Sequence, residues 1–221
     1  EKLAATGRLV RTLAHEVRNP LNNITLSADQ LQLDLKDDDN QLYLEVIRRN
    51  SQRISKIISE LLNSSRPGEI DLVAVSLQEL IIEVLEDAQD SIKLNEVNLV
   101  KQLEETPFSV MADKSKLKIA FMNIIVNAVE AIEGVDKGRL YISIAEKDGY
   151  SITEITDNGC GMSAETLGRL FEPYYTSKRN GMGLGLASTL NIIQSHKGYI
   201  EVHSLEGKGT TFQVFLPVST H

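Results

Sequence analysis

The first 66 residues carry a heptad pattern of apolar side chains that leaves few alternatives to a pair of long helices. In the first run the spacing alternates between four and three residues, at Val10, Ala14, Val17, Leu21, Ile24, Ala28, Leu31 and Leu35. After a polar turn at residues 36–40, the spacing resumes at Leu44, Ile47, Ser51, Ile54, Ile58 and Leu61. Helices with this pattern pack along one seam. Because two helices bury little surface, we predict a long helical hairpin that forms a dimeric four-helix bundle with a second copy.

Beyond residues 64–68, whose sequence is Ser-Ser-Arg-Pro-Gly, helical spacing gives way to a mixture of strand and helix patterns. We therefore predict a helical domain over residues 1–66, a linker over 67–70 and a second domain over 71–221. The expected strands cover residues 72–75, 97–103, 108–111, 140–145, 151–155, 199–204 and 211–216. The capping residues Ser76 and Asp113 predict helices that reach about residues 94 and 132, and a third helix ends near residue 196. Helices gathered against one face of a sheet predict an α+β two-layer sandwich.

The composition narrows the choice of partners. Lys and Arg total 23 against 31 Asp and Glu, a net charge of −8, which argues against a general nucleic-acid binder and against docking on an anionic membrane. The single cysteine, Cys160, fits a reducing cytoplasm. No apolar run is long enough to span a membrane. The chain begins without Met inside a helical pattern, so we expect a piece of a longer protein, with room for a membrane segment upstream.

A polar stripe interrupts the otherwise apolar helix that ends near residue 132. Asn123, Asn127 and Glu130 stand at positions i, i+4 and i+7 and therefore share one face. Taken alone, this stripe is as consistent with an ordinary solvent face as with an oxygen-rich wall that faces a ligand or a hard cation such as Mg²⁺.

Two glycine-rich segments follow. Residues 157–162, Asp-Asn-Gly-Cys-Gly-Met, come directly after a strand. They suit an ordinary turn, but they also allow backbone to approach a flat ligand, with the Asp157 carboxylate accepting a hydrogen bond from an exocyclic amine. Residues 181–186, Gly-Met-Gly-Leu-Gly-Leu, open a helix and could present its N–H groups to an anion. The chain contains no Walker A motif, and the second segment is not a dinucleotide fingerprint.

His15 has an unusual setting in the first helix. Glu16 lies beside it, Asn19 shares its face one turn on, and Pro20 predicts a bend in the helix. A lone surface histidine is usually without function. A carboxylate that orients the imidazole and takes its proton, however, makes the other ring nitrogen a nucleophile. His196 and His203 lie near helix and strand ends, and we interpret them as structural.

Six segments together resemble the sequence boxes of sensor histidine kinases, and they occur in the family's order. The segments are HEVRNPLNN at 15–23, NIIVNAVEAI at 123–132, DNGCGM at 157–162, FEPYYTSK at 171–178, GMGLGL at 181–186 and GKGTTF at 207–212. The resemblance covers essentially the whole chain and is greatest to the nitrogen-regulator type. It implies a dimerisation and histidine-phosphotransfer hairpin followed by an ATP-binding domain of the gyrase and histidine-kinase type.

The resemblance also implies roles for residues of the helical hairpin. His15 would be the phospho-acceptor, and Glu16 would accept its proton. Asn19 matches the position that orients water for dephosphorylation of a partner response regulator. The phosphoryl group on His15 would pass to an aspartate of that regulator's receiver domain.

In the second domain, the resemblance implies an ATP site with Mg²⁺. Asn127 would coordinate Mg²⁺ with help from Asn123, and Asp157 would bind the adenine amine. The nucleotide would be lined by four glycines, Gly159, Gly161, Gly183 and Gly185. A lysine of a mobile lid, Lys178, would contact phosphate. Many members of the family carry a basic residue where this chain has Glu130. Neutralisation of the phosphate charge should therefore depend more on Mg²⁺, Lys178 or Arg179.

Two rival functions remain open on sequence grounds. ATP-driven clamps, such as type II topoisomerases, share the nucleotide-binding fold, but they carry a water-activating Glu where this chain has Asn123. That difference, together with the His15 hairpin, favours the kinase. The second rival is a dimeric scaffold that binds nucleotide without transferring its phosphate.

Overall fold

The computed structural model describes residues 17, 21–29, 31, 41, 43–51, 54, 71–103, 109–176 and 183–219, and the structural statements below concern those residues. The chain divides into two compact units, Glu1–Arg66 and Pro67–His221. The predicted linker at residues 67–70 lies outside the described ranges. Within those ranges, no helix combines the length and the apolar character that a membrane span requires.

Every described residue of the first unit is helical, as the heptad pattern predicts. The seam positions alternate between two environments. Leu21, Ala28, Leu44 and Ser51 are 4–6% exposed. The seam positions between and beside them are 40–49% exposed: Val17, Ile24, Leu31, Ile47 and Ile54. Each helical segment therefore buries one edge of its seam in the single chain and leaves the other edge at the surface.

The second unit mixes strands and helices. Its strands are β1 (Val73–Ser76), β2 (Asn98–Leu103), β3 (Ser109–Ala112), β4 (Arg139–Lys147), β5 (Tyr150–Asp157), β6 (Tyr199–Leu205) and β7 (Gly209–Pro217). Its helices are α1 (Leu77–Asp87), α2 (Gln89–Leu94), α3 (Lys114–Ile132), α4 (Ala164–Gly168) and α5 (Gly185–Ser195). All seven predicted strands are present, with bounds that differ from the predicted ones by up to two residues.

The main sheet is mixed, with the strand order β2-β4-β5-β7-β6. Strands β2 and β4 are parallel, and the other neighbours are antiparallel. Strands β1 and β3 form a separate antiparallel pair. Alternate residues of β5 are buried, so one face of the sheet lies against the helices. Helix α3 packs on that face and contacts both α1 and α5. This arrangement confirms the α+β two-layer sandwich.

Local signals explain most element boundaries. The Ser76 hydroxyl accepts the Glu79 N–H at 3.3 Å, and the Asp113 carboxylate accepts the Lys116 N–H at 3.1 Å, so both predicted caps are confirmed. Asp148 and Gly149 have φ values of 53° and 79°, as a tight hairpin between β4 and β5 requires.

Two helix predictions need correction. The single helix predicted from 76 to about 94 is divided at Ala88, whose ψ of −2° departs from the helical value. The short helix α4 was not predicted, because five residues are too few to show a periodicity. A side-chain cap from Ser163 to the Thr166 N–H marks its start.

Candidate active site

The polar stripe of α3 lies along a helix that is otherwise largely core. Ile124, Ile125 and Phe121 are fully buried, whereas Asn123 and Asn127 are half-buried and Glu130 is exposed. The two amides therefore lie at the margin of the core. A ligand there would meet polar side chains backed by an apolar wall, which is typical of a small-molecule site.

The first residue of this stripe, Asn123, contacts the start of α5. The Asn123 side-chain nitrogen donates to the carbonyl oxygen of Gly185 at 3.1 Å and to the hydroxyl of Thr189 at 3.3 Å. Because a carbonyl can only accept, the amide nitrogen must face α5. The Asn123 nitrogen is thus committed to the protein, and only its oxygen could serve as a metal ligand.

The start of α5 is suited to bind an anion. Leu184 stands at the N-cap, and its apolar side chain cannot satisfy the first N–H groups of the helix. Such groups attract phosphate. Gly183 precedes them with a φ of +67°, and a Cβ there would overlap the carbonyl oxygen of Tyr175. Gly183 is therefore required by the backbone path into the helix, whereas Gly185 has room for a methyl group.

At the other end of the stripe, Asp157 lies at the end of β5 and is 4% exposed. Its carboxylate accepts the Gly159 N–H at 2.8 Å and also a backbone N–H from Thr210. Burial raises the pKa of Asp157 above its ordinary value of 3.8, although the two backbone hydrogen bonds oppose that shift. Asp157 is thus a buried acceptor whose charged form gains from a further hydrogen-bond donor.

The loop at residues 157–162 is held against α3. The Cys160 N–H donates to the carbonyl oxygen of Ala131, near the end of α3, at 2.9 Å. A Cβ at Gly159 would overlap that same carbonyl oxygen. The loop therefore joins the end of α3, so Asp157 and the start of α5 flank the stripe from its two ends.

The turn between β6 and β7 holds the loop from the other side. The Met162 N–H donates to the Ser204 hydroxyl at 2.9 Å, and the Gly207 N–H donates to the Cys160 carbonyl at 2.7 Å. Gly161 has a φ of +64°, and a Cβ there would overlap the carbonyl oxygen of Leu205. Packing within the protein thus already explains the glycine spacing, and the predicted contact of Gly159 and Gly161 with a ligand remains a prediction.

The structure therefore brings together Asn123, Gly185 and Thr189 at one end of the stripe, and the loop that contains Asp157, Gly159 and Gly161 at the other. Four predicted site residues lie outside the described ranges: His15, Glu16, Asn19 and Lys178.

Sequence reasoning missed the contributions of Thr189, Ser204 and Thr210. Thr189 is one turn after Gly185 in an apolar helix, which is a usable signal. Ser204 and Thr210 read as ordinary strand residues, so no sequence signal identified them.

The donor set suits Mg²⁺ bound together with a nucleotide. In the described portion of the chain, no group of three or more His, Cys, Asp or Glu side chains could hold a metal by itself. Mg²⁺ typically binds few protein oxygens and takes its remaining ligands from substrate phosphates and water. The side-chain oxygen of Asn123, next to an anion-attracting helix start, and that of Asn127, one turn further along α3, are consistent with that mode.

Two family models match the chain in tandem. Residues 5–70 match the His kinase A (phospho-acceptor) domain. Residues 112–220 match the histidine kinase-, DNA gyrase B- and HSP90-like ATPase model. The second match covers α3, both glycine-rich segments and the four strands that follow α3, β4 to β7.

Similar proteins agree with both matches. The signal transduction histidine-protein kinase AtoS of Escherichia coli K12 is 37% identical over 220 residues, which are 99% of this chain and 36% of AtoS. The sensor histidine kinase ZraS of the same strain is 35% identical over 221 residues, 99% of this chain and 47% of ZraS.

The fold is shared with a solved structure, the crystal structure of full-length ShkA in complex with AMPPNP. The TM-score is 0.86 at 22% sequence identity, over 97% of this chain and 46% of ShkA. The chain spans less than half the length of AtoS, ZraS or ShkA. Its phospho-acceptor region followed by an ATP-binding domain, together with its similarity to AtoS and ZraS over 99% of its length, shows that the chain belongs to the sensor histidine kinases of two-component systems.

Proposed function

We propose that this chain is the catalytic core of an ATP-dependent protein-histidine autokinase, which phosphorylates its own His15 and passes the phosphoryl group to an aspartate of a separate response regulator. One observation carries the proposal. A buried acceptor, two amide side chains and an uncapped helix start line one helix, α3, in a chain whose residues 5–70 match a phospho-acceptor domain.

In this proposal ATP binds along the stripe. Asp157 accepts the adenine amine, and the glycines Gly159 and Gly161 lie beside the base. Gly183 and Gly185 allow the backbone path that places the first N–H groups of α5 beside the phosphates. Lys178 supplies a positive charge there. When bound to Asn127 and Asn123, Mg²⁺ supplies charge neutralisation at the phosphates.

The transfer step uses the side chains of the first unit. Glu16 takes the imidazole proton of His15, and a ring nitrogen attacks the γ-phosphorus. A P–N bond forms, the bond from that phosphorus to the bridging oxygen breaks, and ADP leaves. The phosphorylated His15 then donates the group to the carboxylate of a receiver domain.

We also propose that the chain dephosphorylates its response regulator. Asn19 lies one helical turn from His15 in the sequence pattern, and its amide can hold a water in line with a phosphoryl group. The substitution Asn19→Ala should slow loss of phosphate from the regulator and spare autophosphorylation. Equal losses of both activities, with a lower melting temperature, would instead identify Asn19 as structural.

A homodimer is the assembly we propose. The exposed edge of each seam, at Val17, Ile24, Leu31, Ile47 and Ile54, is apolar and keeps heptad spacing. A second copy would cover this edge and complete a four-helix bundle. We assign residues 1–66 to this bundle, 67–70 to a linker and 71–221 to the ATP-binding domain. We place this portion in the cytoplasm, because it would use ATP there and has one unpaired cysteine.

The experiment that tests the proposal uses γ-labelled ATP. The wild-type chain should acquire acid-labile, base-stable label, and His15→Ala should abolish that label without loss of ATP binding. His203→Ala is the matched control, because His203 is an exposed histidine on β6 of the other unit. Label that persists on His15→Ala would refute the assignment. A wild-type chain that binds ATP but takes no label would favour the non-catalytic scaffold.

A further inference from the structure

The first turn of α5 is joined to α3 by a small hydrogen-bond network, which we call the Asn123–Thr189 network. Its members are the side chains of Asn123 and Thr189 and the carbonyl oxygen of Gly185. The Thr189 hydroxyl donates to Gly185 at 2.9 Å, and the Asn123 amide donates to both at 3.1 and 3.3 Å.

The polarity of this network is determined by chemistry. A hydroxyl has one hydrogen, and the Thr189 hydrogen goes to the Gly185 carbonyl, so Thr189 must accept from Asn123. Both hydrogens of the Asn123 amide are then used. Thr189 is fully buried, where a broken hydrogen bond costs more than at the surface. The network therefore has one arrangement, and the orientation of Asn123 follows from it.

The neighbouring hydroxyl shows that burial alone does not create such a network. Ser188 is 3% exposed, and its hydroxyl oxygen has no hydrogen-bond partner in the part of the chain that the structure describes. Of these two adjacent buried hydroxyls, only that of Thr189 is bonded to the polar stripe of α3.

The far end of α5 is also joined to α3. The His196 ring accepts the Asp113 N–H at its Nε2 atom, at 2.9 Å, and Asp113 is the N-cap of α3. The Nδ1 atom of the ring lies 2.7 Å from the carbonyl oxygen of Ile192. Because both ends of α5 are bonded to α3, the position of α5 along α3 is set by side chains as well as by packing.

We propose that Asn123 and Thr189 are positioning residues that hold the first turn of α5 where its N–H groups bind the phosphates of ATP. The inference rests on the nucleotide site proposed above and adds two residues that act through the backbone of Gly185. Anion binding by a helix start depends on the direction of a few N–H groups, so a small displacement of the first turn of α5 should reduce the affinity for phosphate. The proposed adenine contact, Asp157, lies at the other end of the stripe, so loss of the network should not change adenine binding.

The test compares ligands with and without phosphate. Thr189→Val keeps the shape of the side chain and removes the hydroxyl. By calorimetry it should weaken binding of ADP and of a non-hydrolysable ATP analogue about 3- to 10-fold, a free-energy change about equal to that of one hydrogen bond, and leave adenosine affinity unchanged. Thr189→Ser should restore most of the affinity, because it keeps the hydroxyl. Ser188→Ala is the matched control and should bind all three ligands as the wild type does.

A second comparison tests the same network through its other side chain. In Mg²⁺-free buffer, where Asn123 has no metal to bind, Asn123→Ala should weaken ADP binding as Thr189→Val does. The double variant should then lose little more than either single variant, since both remove the same network. Fully additive losses would overturn the network as the cause.

Two outcomes separate this inference from the proposed function. Wild-type affinities in Thr189→Val, or an equal loss for adenosine and for ADP, would overturn the positioning role while the kinase proposal stands. A wild-type chain that binds neither ADP nor the ATP analogue would overturn the nucleotide site and the positioning role together.

Discussion

Asp157 combines a buried position with a role that requires charge. Burial raises its pKa above 3.8, so ionisation costs more in the folded chain than in the unfolded one. The stability that Asp157 contributes is therefore complete below its unfolded pKa and is lost as the pH rises through its folded pKa. A donor from a ligand would stabilise the ionised form, so we expect nucleotide affinity to fall as the pH is lowered into this titration range.

Asp157→Asn separates these two effects. We expect the free energy of unfolding of the ligand-free chain at neutral pH to stay unchanged or rise, because a buried charge is removed. ATP binding should weaken by about 1.5–3 kcal/mol, the range for a hydrogen bond to a charged group, and should lose its pH dependence. Calorimetry across pH and denaturant unfolding measure both. A parallel loss of stability and affinity would mean that the carboxylate is mainly structural.

His196 is 5% exposed, and both of its ring nitrogens lie at hydrogen-bond distance from backbone groups. Since Nε2 accepts the Asp113 N–H, the ring hydrogen of the neutral side chain belongs on Nδ1. His196→Ala would remove the partner of the Asp113 N–H and open a cavity, so we expect a loss of about 1–3 kcal/mol in the free energy of unfolding. Denaturant titration measures it, and the exposed His203→Ala should unfold as the wild type does. Equal stabilities for both variants would contradict the bridging role.

At the scale of elements, the loop into α5 distinguishes two glycines that look alike in the sequence. Gly183→Ala would place a Cβ on a backbone at φ +67° and against the Tyr175 carbonyl, at a cost of about 1–3 kcal/mol. Gly185→Ala would place its Cβ 3.6 Å from the Asn123 side chain, an ordinary contact, and a helical Ala is favoured over Gly by roughly 0.5–1 kcal/mol. We expect thermal denaturation to show a lower melting temperature for Gly183→Ala and an unchanged or higher one for Gly185→Ala. The reverse order would refute the backbone path described here.

At the scale of the whole molecule, the exposed seam edge predicts the oligomeric state. Ile24 is a seam position that is 46% exposed in the single chain, and Leu26 is 67% exposed but lies off the seam. Ile24→Glu would place a charge in the proposed dimer interface, so we expect it to convert dimers to monomers. Leu26→Glu, which adds the same charge on the same helix, should remain dimeric.

Light scattering combined with size-exclusion chromatography measures the two masses. A monomeric wild type, or an Ile24→Glu variant with the wild-type mass, would refute the seam as the dimer contact.

Local features of this chain could be predicted because their causes are local. Ser76 and Asp113 were identified as caps from residue type and position. Asp148 and Gly149 were identified as a hairpin turn because that pair tolerates positive φ. The division of the helix at Ala88 and the five-residue helix α4 were missed, since neither leaves a periodic signal. The stripe on α3 was visible, but its meaning was open until its neighbours were known.

The sequence by itself determined the periodicities: a heptad seam over the first unit, alternation in the strands, one polar stripe on a buried helix and the family boxes that contain it. Only the tertiary structure decided which distant segments meet. The parallel pairing of β2 with β4, the contact of Asn123 with Thr189 and the packing of Gly161 against Leu205 join residues tens of positions apart. The physical reason is that periods of 2 and 3.6 residues determine which side of an element is buried, whereas the partner on that side is selected by packing of the complete core.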